Sequence, residues 1–247
     1  MACVDHRDHT DPVATLRIIV VEDEPLYLDL LVGAVVSRIA GTRVVGSFAT
    51  AEEALAQAPS LRADVLLTDI DLGSGMSGPA LGIEMRRTTS VRGVVLLSNL
   101  ALPSVLTTLP ADVRGGWSYL LKTSVTSVDQ LGRAILQAAE GQVLIDDELV
   151  MGLVSAPNTP MDSLTPRQFE VLSRMARGSS NRRIAEDLHL TPRTIESVVS
   201  DIIENLGVRN DLDADGLNPR VVSVLMYLEH TVLRSRRDLG DGQARRA

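Results

Sequence analysis

From Leu16 onward, short apolar runs alternate with amphipathic stretches, which is how a parallel sheet with crossover helices is written in a sequence. Five runs read as strands, at Leu16–Val21, Arg43–Phe48, Val65–Thr68, Val94–Leu97 and Trp117–Leu121, each flanked by Gly, Pro or acidic residues. Helices are expected in the gaps. The first follows Pro25 and places Leu30, Leu31, Ala34, Val35 and Ile39 on one face. The second opens at Thr50 with Glu53 three residues on, and the last opens at Ser127 with Gln130, both in the spacing of a capping box. The pattern predicts an α/β domain built on a five-stranded, doubly wound parallel sheet, with ligands beyond the C-terminal ends of its strands.

After an amphipathic stretch at Asp146–Ser155, the run Ala156-Pro157-Asn158-Thr159-Pro160 reads as a linker. The tetrapeptide Leu-Thr-Pro-Arg then occurs at Leu164–Arg167 and again at Leu190–Arg193, each time with Thr placed to cap a helix and Pro in its first turn. Helices are expected at Pro166–Arg177, Asn181–Leu188, Pro192–Asn205 and Pro219–Val232, with Gly178 and Gly207 ending the first and third, and no strand. The predicted organisation is a disordered tail at 1–15, an α/β domain at 16–140, a linker with a short helix at 141–162, an all-α domain at 163–233 and a second disordered tail at 234–247.

The chain's 247 residues are ample for two small domains, and 45% hydrophobic content argues against a disordered chain. No apolar run approaches the roughly 18 residues a membrane helix needs, and the Asp/His-rich start lacks the basic-then-apolar order of a secretory signal, so a cytoplasmic protein without membrane contact is expected. The single cysteine, Cys3, leaves no intramolecular disulfide and no thiolate cluster for zinc. The net charge of −8 resides in residues 1–155, whereas residues 156–247 hold 13 basic and 13 acidic side chains, so the two halves face different tasks. His6 and His9 in the tail read as solvated.

Glu22, Asp23 and Glu24 follow the first strand, and Asp69 and Asp71 follow the third, so carboxylates converge on one edge of the sheet. That crowding calls for a cation, and hard oxygen ligands suit Mg²⁺. A carboxylate can also act as nucleophile toward phosphorus and form an aspartyl phosphate. Ser98 ends the fourth strand and Lys122 the fifth, supplying a hydroxyl and a compact positive charge for phosphoryl oxygens. Lys122 is the only lysine beside 23 arginines.

Val21-Glu22-Asp23-Glu24, Leu67-Thr68-Asp69, Leu97-Ser98 and Tyr119-Leu120-Leu121-Lys122 resemble the flavodoxin-like receiver domain of bacterial response regulators, over residues 16 to about 140. The resemblance implies that Asp69 is the phosphoacceptor, that Asp23 binds Mg²⁺ directly and Glu22 through water, that Asp71 offers its backbone carbonyl to the metal, and that Ser98 and Tyr119 form a switch pair. The loop after Asp69 departs from the family: Gly73 stands where Pro is usual, and one extra residue precedes Gly78. Thr123 likewise replaces the Pro that often follows the lysine.

Residues 164–209 resemble the LuxR/NarL-type helix-turn-helix in Leu164-Thr165-Pro166-Arg167-Gln168, in Gly178-Ser179-Ser180-Asn181-Arg182-Arg183-Ile184-Ala185, in Thr191-Pro192-Arg193-Thr194-Ile195-Glu196 and in Leu206-Gly207-Val208. Ile184, Ala185 and Leu188 should pack against Ile195, Val198 and Ile202, leaving Arg193, Thr194, Ser197, Ser200 and Asp201 to face a major groove. Asn181, Arg182, Arg183, Thr191 and Arg193 are placed for phosphates, and Thr194, Glu196 and Ser197 for base edges. Residues 164–209 are only weakly basic, with 7 basic and 6 acidic side chains, and Glu196, Ser197 and Val198 stand where relatives often carry basic or histidine side chains.

Asp211-Leu212-Asp213-Ala214-Asp215-Gly216 copies the opening of a calcium loop, but Val222 occupies the place of the required bidentate Glu, so the run reads as a solvated turn. The apolar stripe Val221, Val222, Leu225 and Leu228 reads as core, on a helix that in this family commonly dimerises. Together these features predict a transcriptional response regulator that is not an enzyme, binds double-stranded DNA, receives phosphate from a histidine kinase and forms a homodimer under phosphorylation control. Two alternatives share the residues: a regulator of the same architecture that ignores phosphate, and a phosphatase of the haloacid-dehalogenase type using Asp69-Ile70-Asp71.

Overall fold

The computed structural model describes residues 15–35, 38–73, 75–101, 103–208 and 218–233. The two predicted tails and the Asp211–Gly216 turn lie outside the described residues, apart from Thr15.

The first half contains β1 (Leu16–Val21), α1 (Pro25–Asp29) continuing as a π-helical stretch at Leu30–Val35, β2 (Thr42–Phe48), α2 (Ala51–Leu61), β3 (Val65–Asp69), α3 (Gly78–Thr88), β4 (Gly93–Ser98), β5 (Trp117–Leu121) and α4 (Val128–Ala139). The strands are parallel in the order β2-β1-β3-β4-β5-β6, where β6 is Leu144–Ile145. β3, β4 and β5 are buried along their whole lengths, the condition of central strands covered on both faces. Alternate residues feed two cores: Ile19, Val21, Leu66, Leu96 and Tyr119 face one way, and Ile18, Val20, Val65, Leu67 and Leu97 face the other, toward α4. The order in which strands are added reverses at β1, with β2 on one side and β3, β4 and β5 following on the other, so the crevice beyond the C-terminal ends of β1 and β3 is the topological switch point.

The helix starts follow the sequence. Thr50 accepts from the Glu53 N–H, Ser127 from the Gln130 N–H, Thr165 from the Gln168 N–H and Thr191 from the Thr194 N–H. The second half contains α5 (Asp147–Gly152), β7 (Leu153–Ser155), α6 (Pro166–Ala176), α7 (Asn181–Asp187), α8 (Pro192–Asn205), α9 (Pro219–Glu229) and β8 (Thr231–Leu233). Gly178 and Gly207 take positive φ, +74° and +67°, and end α6 and α8 as expected.

Three expectations need correction. The sheet has six strands rather than five: Leu144–Ile145 joins β5 in parallel, a run of two residues that is too short to stand out as a strand in sequence. The gap between β4 and β5 contains two 3-10 segments, Pro103–Thr108 and Ala111–Val113, rather than an α-helix among the described residues. Pro103 and Pro110 punctuate it, and the Thr107 and Thr108 hydroxyls donate to carbonyls three residues back, which favours the tighter helix. Finally, the second half is not purely helical, because α9 stops at Glu229 and β8 pairs antiparallel with β7 in the linker, Leu153 with Leu233 and Ser155 with Thr231. Thr231 and Val232 are β-branched, which suits a strand better than a helix end.

Candidate phosphoacceptor pocket and DNA-facing helices

The pocket forms where four strands end. β1 delivers Glu22 and Asp23, β3 delivers Asp69, β4 delivers Ser98, and β5 delivers Lys122. Lys122 Nζ donates to Asp69 Oδ2 at 2.7 Å and lies 2.9 Å from both Glu22 oxygens, with its hydrogen bond to Oε1. The three side chains are 7%, 8% and 0% exposed for Lys122, Asp69 and Glu22. Burial drives the Glu22 carboxyl above the ordinary range, an effect that the Lys122 contact only partly offsets. Burial would lower the Lys122 ammonium, but hydrogen bonds to Asp69 and Glu22 outweigh it and hold its pKa above the usual value. The Tyr27 ring, from α1, covers the ammonium with its centroid 4.5 Å from Nζ.

Glu22, Asp23 and Asp69 each present a carboxylate oxygen within 4.8 Å of the others. Glu22 Oε2 is buried and receives no aligned hydrogen bond, and the exposed Asp23 leaves the cluster open to solvent on one side. An all-oxygen donor set with spare lone pairs and room for water fits Mg²⁺.

Asp69 is held by its neighbours. Its backbone carbonyl accepts from the Thr68 hydroxyl at 2.9 Å, and its Oδ1 accepts from the Asp71 N–H at 3.3 Å. Gly78 is forced, since a Cβ there would sit 1.9 Å from the Asp69 carbonyl oxygen. Gly73 stands at φ +72°, where its N–H meets Asp71 Oδ1 at 3.3 Å, so the Asp71 side chain closes a turn. Across the loop, Glu52 of α2 accepts from the Met76 N–H at 3.1 Å, pinning the loop to α2. Ser98 and Tyr119 meet at one atom: the Ser98 hydroxyl and Tyr119 Oη both donate to the Leu100 carbonyl, at 3.0 and 2.5 Å, and the Leu100 N–H returns to Ser98 Oγ at 3.0 Å. Tyr119 itself is fully buried.

In the second half, α7 packs on α8 through Ile184, Ala185, Ile195 and Ile202. Leu188 and Val198 are only half-buried, and Val199 takes the core position assigned to Val198. Arg193, Thr194, Glu196, Ser197, Ser200 and Asp201 form an exposed face of α8. Thr191 and Thr194 share a hydroxyl contact of 2.8 Å at the start of that helix. Arg182 and Arg183 are exposed but paired within their own helix, to Glu186 at 3.3 Å and to Asp187 at 3.1 Å. Asn181 is apart from this surface pattern, because Arg220 of α9 donates to its Oδ1 at 3.0 Å and to the Ser179 carbonyl. Burial lowers the Arg220 guanidinium to about 10. α9 also packs against the 3-10 segment Pro103–Thr108, α6 lies against β6, and Gln137 of α4 donates to the Gly178 carbonyl, so the helical half rests on the sheet half.

Tyr27 and Arg220 escaped the reading of the sequence. Tyr27 is one of three tyrosines and sits two residues past Pro25 at a helix start, a position that could have drawn notice. Arg220 had no such signal among 23 arginines.

Comparison with known proteins agrees with this division. Residues 18–131 match the family described as response regulator receiver domain, and residues 162–215 match bacterial regulatory proteins, luxR family. The response regulator protein VraR of Staphylococcus aureus is 27% identical over 89% of this chain and 100% of its own length. Among solved structures, RcsB of Salmonella typhimurium is similar over 87% of this chain and 98% of its own, at 22% identity and TM-score 0.48, and an RcsB–DNA complex is similar over the same shares at 22% identity and TM-score 0.46. The two family matches cover most of the chain in the order receiver then LuxR-type domain, and the protein belongs to the LuxR-type response regulators.

Proposed function

We propose that Asp69 is phosphorylated by a histidine kinase and that the modification controls a DNA-binding domain which reads its site through α8. The observation that carries this reading is the buried Lys122 held between Asp69 and Glu22, with Asp23 open beside them. An Asp69 carboxylate oxygen attacks the phosphorus of the kinase phosphohistidine, the N–P bond breaks, and the imidazole leaves with the electron pair. Lys122 then has a phosphoryl oxygen to contact in addition to a carboxylate. Glu22, Asp23, Asp69 and the Asp71 carbonyl are the groups that would hold Mg²⁺, which supplies divalent positive charge against the phosphoryl oxygens. Ser98 releases the Leu100 carbonyl to bond the phosphoryl group, while Tyr119 keeps its hold on Leu100.

That exchange lies immediately before the 3-10 segment on which α9 rests, so a shift of Leu100 reaches the helix that commonly dimerises in this family. A homodimer presents two α8 helices to double-stranded DNA, with Arg182, Arg183, Thr191 and Arg193 toward phosphates and Thr194, Glu196 and Ser197 toward bases. Asn181 serves from the rim, through Arg220. We assign the receiver to residues 16–140 and the DNA-binding domain to 163–233, and place the protein in the cytoplasm, consistent with the absence of a helix long and apolar enough to cross a membrane among the described residues. No turnover beyond self-dephosphorylation is assigned.

The test is incubation with Mg²⁺ and a small phosphodonor or beryllofluoride, recording intact mass, oligomer size and binding to duplex DNA beside Asp69→Asn. A mass gain and size shift in the parent protein alone are expected. Equal DNA binding with and without the phosphoryl mimic would favour control by some other input.

A further inference from the structure

Among the described residues, Asp146 is the least exposed carboxylate after Glu22, at 1%, and has no lysine or arginine as hydrogen-bonding partner. It stands at the end of β6, between the pocket and the chain that leads to the DNA-binding domain. Oδ2 accepts from the Leu121 N–H at 3.2 Å and from the Ser124 hydroxyl, the two residues that flank Lys122-Thr123. Oδ1 accepts from the Glu148 N–H at 2.9 Å and so caps α5, which continues directly into β7. The Asp146 N–H donates to the carbonyl of Tyr119 at 2.8 Å. From the other side, the Lys122 N–H donates to the Ser98 carbonyl at 2.8 Å.

We propose that Asp146 is a positioning residue that ties the Lys122 turn to α5 and β7, so that displacement of the turn displaces the segment leading into the DNA-binding domain. The proposal rests on the phosphorylation reading for its biological use, but the tether stands apart from it. A buried carboxylate does not readily exchange its donors for water, so breaking either half strands a polar group, and the cheaper response is for both halves to move together. Coupling of this kind is reciprocal: what loosens α5 loosens the Lys122 turn, and the reverse. A simple helix cap would need only the Glu148 contact. The second oxygen, aimed at the turn, is what a cap leaves unexplained.

Amide hydrogen exchange in the full chain tests this, with Ser124→Ala, Asp146→Asn and, as control, Thr123→Ala at an exposed position of the same turn. Asn retains an oxygen for the Glu148 N–H but offers no second acceptor for the Leu121 N–H. Ser124→Ala should speed exchange across residues 147–155 about five- to tenfold, the size expected for one buried hydrogen bond, although Ser124 does not cap α5. Asp146→Asn should speed both 117–126 and 147–155, and Thr123→Ala neither. A Ser124→Ala effect confined to its own turn would overturn the proposal, and Ser124→Ala keeps the test decisive should Asp146→Asn fail to fold. A second arm adds Mg²⁺ and beryllofluoride. If the parent protein binds the mimic, Ser124→Ala should shrink its effect on 147–155 several-fold, and an undiminished effect counts against the tether. If the parent protein does not bind it, the phosphorylation reading fails while the first arm still decides the tether.

Discussion

The Asp69–Lys122 pocket and the exposed surface of α7 and α8 handle charge in opposite ways. In the pocket, one ammonium is shared by two nearly buried carboxylates, so each partner is indispensable to the other. On α7 the guanidinium groups of Arg182 and Arg183 are exposed and neutralised by Glu186 and Asp187 of the same helix, where each pair contributes little and water can replace either partner. The pocket is therefore rigid chemistry that one substitution can ruin. The surface of α7 and α8 is adjustable, and its free positive charge can be raised or lowered by small steps.

The sharpest break is Lys122→Met. It leaves Glu22 and Asp69 buried without a counter-charge, and removal of one partner from such a pair costs about 3–5 kcal/mol. Urea unfolding should show that loss, and added Mg²⁺ should recover part of it. Gly78→Ala comes next, because its methyl group would overlap the Asp69 carbonyl; about 1–3 kcal/mol is expected, with phosphorylation of Asp69 impaired as the loop shifts.

A pH series separates the two partners in the pocket. Glu22 has a raised pKa in the fold, so the native state retains its proton at pH values where the unfolded chain has lost it. Stability attributable to Glu22 is present below its ordinary value of 4.5 and declines as pH rises through its folded pKa, at no more than about 1.4 kcal/mol per pH unit. Glu22→Gln should flatten that slope. Lys122, also raised, contributes stability that is complete below 10.5 and lost as pH rises through its folded pKa, so the alkaline limb should persist in Glu22→Gln and vanish in Lys122→Met. The smallest effect belongs to the other region: Asp187→Asn removes the 3.1 Å partner of both Arg183 and Arg174, leaving Arg183 only Glu186 at 4.0 Å, and should tighten binding to generic duplex DNA by a few-fold, with a salt dependence steeper by about one phosphate contact.

Much of this contrast was legible in the sequence. Glu22, Asp23, Asp69, Ser98 and Lys122 could be placed because strand ends in a doubly wound sheet converge, so periodicity alone carried five distant positions to one edge. The helix starts could be placed because Thr and Ser caps act over three residues. What escaped were features set by long-range contact: β6, two residues long and a strand only because β5 offers an edge; β8, which depends on β7 being alongside; and Arg220, whose burial follows from how α9 meets α7. The segment after β4 misled for a different reason, since its length suits a helix but its prolines and threonines favour the 3-10 form.

The ribbon of β7 and β8 has a consequence of another kind. Because Leu153–Ser155 pairs with Thr231–Leu233, the segment between them begins and ends at nearly the same point in space. A module with adjoining ends can be cut out, moved or replaced while its host keeps its own ends undisturbed, which is the geometry that tolerates domain insertion and circular permutation. Residues 156–230 are thus packaged as a cassette: exchanging them for the equivalent stretch of another regulator should retarget the output while the ribbon preserves the join.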